Sequence, residues 1–403
     1  MTPCKQAASA AGTAPPALSM SVHAVTLVAF FAASSAPTPL YHLYQHAWGF
    51  TSAVLTVIFA VYALALLCAL LTAGSLSDYT GRRPVIRLAL LLEAAAMACL
   101  AAAQNPAWLI GARVIQGFAT GLAAASIGSA MLDLDRQRGA RINSFVPMSG
   151  TALGVLGSSL FVAYGHGPLS IVFVLWFALF LAALAATWLV PETGSRRPGA
   201  RASLRPSISV PVQARAALWA ATPANVAAWM LGGFYLSLMP SLIASTTHAA
   251  SSWLGGACVI ALTLCGALAA LAGGRARAAP AVLAGAGAMA LGLALVLVGA
   301  NLGVYGWLLA GSLVAGLGFG ASFMGAARLV LPLAEPQQRA GLMAAFYVES
   351  YLAHSLPAMA AGYMARHGGL LATANIYGAV NIALALAAIG LVMRRPARRE
   401  PMR

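Results

Sequence analysis

Gly74-Ser75-Leu76-Ser77-Asp78-Tyr79-Thr80-Gly81-Arg82-Arg83-Pro84-Val85 lies between two long apolar runs and holds one acid, two glycines and an arginine pair. The glycines permit a tight turn and a close approach of the helices on either side. The flanking runs extend about 20 residues each, enough to cross a hydrocarbon core of about 30 Å at about 1.5 Å per residue. Lipid satisfies no backbone hydrogen bond, so such spans are helical. The local unit is therefore a short charged turn between two membrane-spanning helices.

The same unit recurs along the chain. Of 403 residues, 61% are hydrophobic and 8% charged, against about 25% charged in soluble domains. Alternating strand patterns are absent, which argues against an outer-membrane barrel. Twelve spans are expected, near 21–43, 51–74, 84–103, 107–131, 142–164, 169–190, 217–244, 253–272, 280–300, 304–331, 341–364 and 371–393. The fold class is thus an all-α integral membrane protein. The division of the eighth span from the ninth rests only on Gly273-Gly274-Arg275-Ala276-Arg277.

The net charge of +15 invites a nucleic-acid reading, but the arginines are scattered through short loops rather than gathered on one soluble face. All but two of the 23 lysines and arginines fall on one side of the twelve-span arrangement, the exceptions being Arg113 inside a span and Arg366 on the opposite face. By the positive-inside rule both termini are cytoplasmic. The basic excess is a topology signal whose partner is anionic membrane lipid. The five cysteines show neither CxxC nor metal spacing, and neither a disulfide framework nor a metal site is expected.

The longest connection, 191–216, carries five arginines. It divides the chain into an N-terminal bundle over 21–190 and a C-terminal bundle over 217–393, with an expected disordered tail at 1–20 and a basic tail at 394–403. Asp135-Arg136-Gln137-Arg138 after the fourth span is echoed by Glu335-Pro336-Gln337-Gln338 after the tenth, and Pro37 in the first span by Pro240 in the seventh. Two related halves around a central site is a common transporter plan.

At this point Gly74-x-Leu76-x-Asp78-x-x-Gly81-Arg82-Arg83 resembles the loop signature of the major facilitator superfamily, and it lies in the corresponding loop between the second and third spans. Arg113-Val114-Ile115-Gln116-Gly117 in the fourth span is similar to a second pattern of that superfamily, and Pro191-Glu192-Thr193 after the sixth to a common ending. The resemblance implies two pseudo-symmetric six-helix bundles with a central cavity opening alternately to each side. It also implies that Gly74, Asp78, Gly81, Arg82 and Arg83 form a conformational gate, with Asp78 facing the N-terminal end of the eleventh span. Arg82 can pair with Asp133 at the end of the fourth span, a bond expected when the inner side closes.

Charge inside a span costs about 2.5–3.5 kcal/mol on insertion scales, so Arg113, Glu93 and Glu349 are candidates for proton coupling. Glu349 ranks first: it is expected near the bilayer middle, with Tyr347, Tyr351 and His354 close in sequence. Arg113 either points inward or snorkels to the outer interface. Glu93 serves coupling or packing. Ser34, Tyr41, His42, Gln116, Tyr235 and Ser237 join Tyr347, Tyr351 and His354 as candidate cavity residues. Prolines in the first and seventh spans break those helices near their outer third and free carbonyls.

These features point to a secondary transporter of a small organic molecule, not an enzyme, with protons as its partner and no cofactor. No nucleotide-binding loop of the GxxxxGK[ST] type is present. The resemblance is strongest to the drug-efflux branch, which implies export of a drug-like compound or a metabolite such as a siderophore in exchange for protons. A monomer in the inner membrane of a bacterium is expected. The run Gly150-x-x-x-Gly154-x-x-Gly157 lacks the proline that follows it in export members, which leaves the direction open. The alternatives are a proton-coupled importer of a nutrient or organic acid, and a membrane sensor or assembly protein that transports nothing.

Overall fold

The computed structural model describes residues 15–165, 170–206, 208–247, 252–273, 276–335 and 338–394. Fifteen α-helices and no strand occur among them: α1 (Pro16–Ser35), α2 (Tyr41–Trp48), α3 (Ser52–Ala73), α4 (Ser77–Thr80), α5 (Arg82–Ala101), α6 (Pro106–Leu134), α7 (Arg136–Tyr164), α8 (Ser170–Ala186), α9 (Val212–Ser237), α10 (Met239–Thr247), α11 (Ser252–Ala272), α12 (Ala278–Leu302), α13 (Tyr305–Val330), α14 (Arg339–Gly368) and α15 (Leu370–Met393). Nine segments, α1–α2 counted together, are long and apolar enough to cross a membrane, and α9–α10 forms a tenth as a bent pair. The apolar α8, with 17 residues, and α14, with 30, complete the twelve spans. Glu349, Ser350, His354 and Ser355 make α14 the more polar of these two.

The first helix begins at Pro16, earlier than the expected tail boundary at 20, because proline at the first helical position loses no intrahelical bond. Residues 1–14 and 395–403, which hold most of both expected tails, lie outside the described residues, as do Pro336 and Gln337 of the echo after the tenth span and Gly274 and Arg275 between the eighth and ninth. The prolines act where the sequence places them. After α1 the chain makes one 3₁₀ turn, Thr38–Leu40, before α2, and α9 and α10 meet at 61° beside Pro240.

Within the first half α3 and α5 pack on α6, α1 on α7 and α8 on α5. Within the second, α12 packs on α13, α11 on α13, and α9 on α13, α14 and α15. The halves meet along two seams, α3 against α14 and α7 against α11. Small residues set the closest crossings: a Cβ on Gly117 or Gly154 would strike the carbonyl of Tyr62 on α3 or of Ala32 on α1. These are the close approaches that small-xxx-small spacing allows.

Candidate functional site

At the end of the first half where α3 turns into α5, Arg82 forms an ion pair with Asp78 four residues before it, and its Nε donates to Asp133 Oδ2 at 3.0 Å. Its Nη1 also donates to Ser77 Oγ at 2.8 Å. The expected Arg82–Asp133 bond is formed. Asp78 pairs with Arg82, whereas the first turn of α14, which Asp78 was expected to face, meets the 191–216 connection: Ser209 N–H donates to Gly341 O at 3.3 Å.

Glu192, whose role the sequence left unassigned, organises this corner. Its Oε1 accepts from Arg82 N–H at 2.7 Å and from Gly194 N–H at 2.9 Å, and its Oε2 accepts from Arg83 N–H at 3.0 Å. Gly81 precedes α5 with φ +96° and offers no side-chain cap, and a Cβ there would come within 2.9 Å of Glu192 Oε2. A carboxylate at this helix N-terminus satisfies orphan N–H groups and offsets the unfavourable position of Arg82 and Arg83 there. Arg83 also reaches Trp188 O, at 3.5 Å. Gly74 lies at the C-terminal end of α3, where the turn begins.

The centre of the first half is built around Arg113, about 10 Å along α6 from its start. It is 2% exposed, so it points inward and does not snorkel. The helix break after Ser35 leaves carbonyls at the end of α1 without intrahelical donors, and Ser34 O accepts from Arg113 Nη1 at 2.7 Å. The same nitrogen donates to Gln116 Oε1 at 2.5 Å. Gln116 Nε2 donates to Glu93 Oε1 on α5 at 2.9 Å. Glu93 and Gln116 are fully buried. The guanidinium lies over the Tyr62 ring, 4.1 Å from its centroid, an attraction that strengthens away from water. Tyr41 on α2 is buried and its hydroxyl has no partner; the neighbouring His42 is partly buried.

Across the α3–α14 seam stands an aromatic group. Tyr351 packs with Tyr62 and Leu66 of α3. Trp229 on α9 lies 4.8 Å from Tyr351, and His354 lies 5.5 Å from Trp229 and 5.0 Å from Phe59, centroid to centroid. Tyr347 is next to Tyr351 at 6.3 Å. His354 Nδ1 is 3.1 Å from Trp229 O. Glu349, about 15 Å into α14, accepts from Thr222 Oγ1 at 3.2 Å and leaves Oε1 without a partner. Beside it Asn225 Nδ2 donates to Ser350 Oγ at 2.9 Å.

Thus Arg113, Gln116, Glu93, Ser34 and Tyr41 gather on one side of the seam, and Tyr347, Tyr351 and His354 on the other. Tyr235 and Ser237 do not join them. The Tyr235 hydroxyl is hydrogen-bonded to Ser312 on α13 at 2.9 Å, and Ser237 Oγ donates to Gly233 O of its own helix at 2.7 Å. Both turn into the packing of the second half, because α9 faces α13 at that level. Sequence reasoning did not assign a role to Tyr62, Phe59 or Trp229. Their signal was an aromatic ring in the middle of an Ala/Leu-rich span.

A model of the Major Facilitator Superfamily matches residues 23–246, more than half of the chain. The structure is similar to the human organic anion transporter MFSD10 (TETRAN), with 19% identity over 93% of this chain and 100% of that one and a TM-score of 0.67. It is also similar to a point mutant of the nucleoside transporter NupG, with 15% identity over 93% of this chain and 99% of that one and a TM-score of 0.69. At such identities these likenesses show the fold alone. No curated protein sequence matches the chain significantly.

Proposed function

The chain belongs to the major facilitator superfamily, and from that premise we propose that it couples proton movement to the passage of a small organic molecule by alternating access. The observation that carries this reading is the buried line Arg113–Gln116–Glu93 beside the α3–α14 seam. Ionisable groups inside a span are costly, and they persist where they bind substrate or relay protons. Glu93 is the proton carrier in this reading, because one side chain links it to the buried cation. Glu349, bonded to a threonine hydroxyl, takes a second role at the cavity wall. The Arg82–Asp78–Asp133 cluster is the inner gate, and the two six-helix units at 21–190 and 217–393 rock about the seams. The arginine asymmetry supports cytoplasmic termini, and the inner membrane of a bacterium is the placement this reading adopts.

Two directions are carried by different observations. The resemblance to the efflux branch supports export in exchange for protons. The unneutralised buried cation Arg113 supports the second reading, in which substrate and proton travel together. Purified protein in lipid vesicles, with an imposed pH gradient and labelled solutes, tests the proposal. Counterflow of a labelled solute and its acceleration by the gradient are expected, and a chain that exchanges none of a broad solute set overturns the reading. The sign of the gradient that drives accumulation assigns direction.

A further inference from the structure

Arg113 is the only buried arginine or lysine among the described residues, and among them it has no carboxylate at ion-pair distance. Its contacts are two neutral oxygens and the face of Tyr62, and its Nε is buried with no partner. Glu93 touches Gln116 rather than Arg113, and its Oε2 is also without a partner. A charge taken out of water costs several kcal/mol unless an opposite charge meets it, so the Nε edge of Arg113 is built to receive an anion. Charge-assisted bonds from a guanidinium to a carboxylate are among the strongest available. The guanidinium lies on Tyr62, Tyr62 shares an apolar cluster with Tyr351, and Trp229 stands 4.8 Å from Tyr351; the Trp229 Nε1 and Tyr41 hydroxyl are two more buried polar atoms without partners. These rings belong to both sides of the α3–α14 seam, so relative movement of the halves parts them.

We infer that the seam binds a planar aromatic monocarboxylate, with its carboxylate on Arg113 and its ring among Tyr62, Tyr351 and Trp229, and that it binds together with a proton on Glu93. The inference rests on the transporter reading and names its substrate class and coupling. One cation calls for one negative charge. When Glu93 is ionised it supplies that charge through Gln116; when an anion occupies Arg113, a second carboxylate nearby is repelled in a medium of low dielectric. Anion and proton therefore favour each other's binding, and the coupling is reciprocal. A cation at the same place would compete with the proton instead. The other titratable groups facing the site are Tyr41 on α2, Tyr62 on α3, and Tyr347, Glu349, Tyr351 and His354 on α14. Those of α1 and α7 lie toward the helix ends, and α8 has none.

The test uses the full chain purified in detergent, with benzoate, its neutral analogue benzamide and the cation benzylamine as probes. Binding is read from tryptophan fluorescence and proton exchange from the pH of a weakly buffered sample. Benzoate is expected to bind in preference to the other two, with net proton uptake. Its affinity in the wild type should weaken about tenfold for each pH unit above the titration of Glu93, and in Glu93→Gln it should not depend on pH. Arg113→Gln should weaken it by about tenfold to a hundredfold. Preference for benzylamine, proton release on benzoate binding, an unchanged pH slope in Glu93→Gln, or no benzoate binding at millimolar concentration each overturns the inference. Counterflow separates this from the underlying reading. A chain that exchanges neutral or cationic solutes remains a transporter without this site, and one that binds benzoate but exchanges nothing sinks the transporter reading alone.

Discussion

Glu93 and Glu349 are both carboxyl groups held within the helices, yet their neighbours differ, and the tasks proposed for them differ accordingly. Glu93 is hydrogen-bonded to Gln116, which in turn meets Arg113; Glu349 is bonded to the Thr222 hydroxyl. Glu93→Gln keeps an acceptor for Gln116 and removes the titration, so gradient-driven accumulation should be abolished while counterflow of labelled solute survives. Glu349→Gln should slow both processes several-fold without uncoupling them. The opposite pattern in the same vesicle assay would exchange the two roles. At the proposed gate, Arg82 is 12% and Asp133 34% exposed, and an ion pair whose acid is open to water to that extent is worth about 1 kcal/mol. Asp133→Asn should therefore leave thermal stability nearly unchanged and reduce turnover severalfold. A fall in melting temperature accounting for all the lost turnover would make the pair a structural contact rather than a gate.

Elements show why similar residues differ. Gly154 and Gly157 sit one turn apart on α7, but a Cβ at 154 strikes α1 while one at 157 meets nothing within 4 Å. Gly154→Ala should cost about 1–3 kcal/mol by overpacking, and Gly157→Ala should be neutral or stabilising by up to about 1 kcal/mol through helix propensity. Thermal unfolding in detergent checks both, and equal effects would refute the packing role of Gly154. The expected spans were legible because apolar runs of membrane length alternate with arginine-bearing turns, and the breaks beside Pro37 and Pro240 because proline lacks an N–H. Rotation of each helix was not legible. A helix apolar on nearly every face has little amphipathic phase, so Tyr235 reads as a cavity residue although it is hydrogen-bonded inside the second half. Partner choice was equally hidden: Glu192 caps a helix 110 positions earlier in the chain, and no local pattern announces that. Its removal by Glu192→Ala should lower stability by about 1–2 kcal/mol.

At the scale of the whole molecule, transport requires the two halves to separate at one end while they stay joined at the other. The α3–α14 and α7–α11 seams are the contacts that have to change, and the first joins the halves at one end and in the middle. At one end Gly362 of α14 lies against Thr56 and the Ser52 carbonyl of α3; in the middle Tyr351 meets Tyr62. At the opposite end of α14 the connection ties Ser209 to Gly341, and Gln213 Nε2 donates to Gln338 Oε1 at 2.7 Å. A covalent tie at the Gly362 end should therefore forbid opening there, although a Cβ at 362 would come within 2.8 Å of the Ser52 carbonyl and has to shift the two helices slightly apart. Thr56→Cys combined with Gly362→Cys, in a background where the native cysteines are replaced by alanine, places two thiols where the helices touch. Oxidation should arrest counterflow, and reduction should restore it. Each single cysteine variant treated with the same oxidant should keep transporting. If the cross-linked protein turned over at the uncross-linked rate, the seam would be a fixed interface, and alternating access would have to proceed by movements within each half.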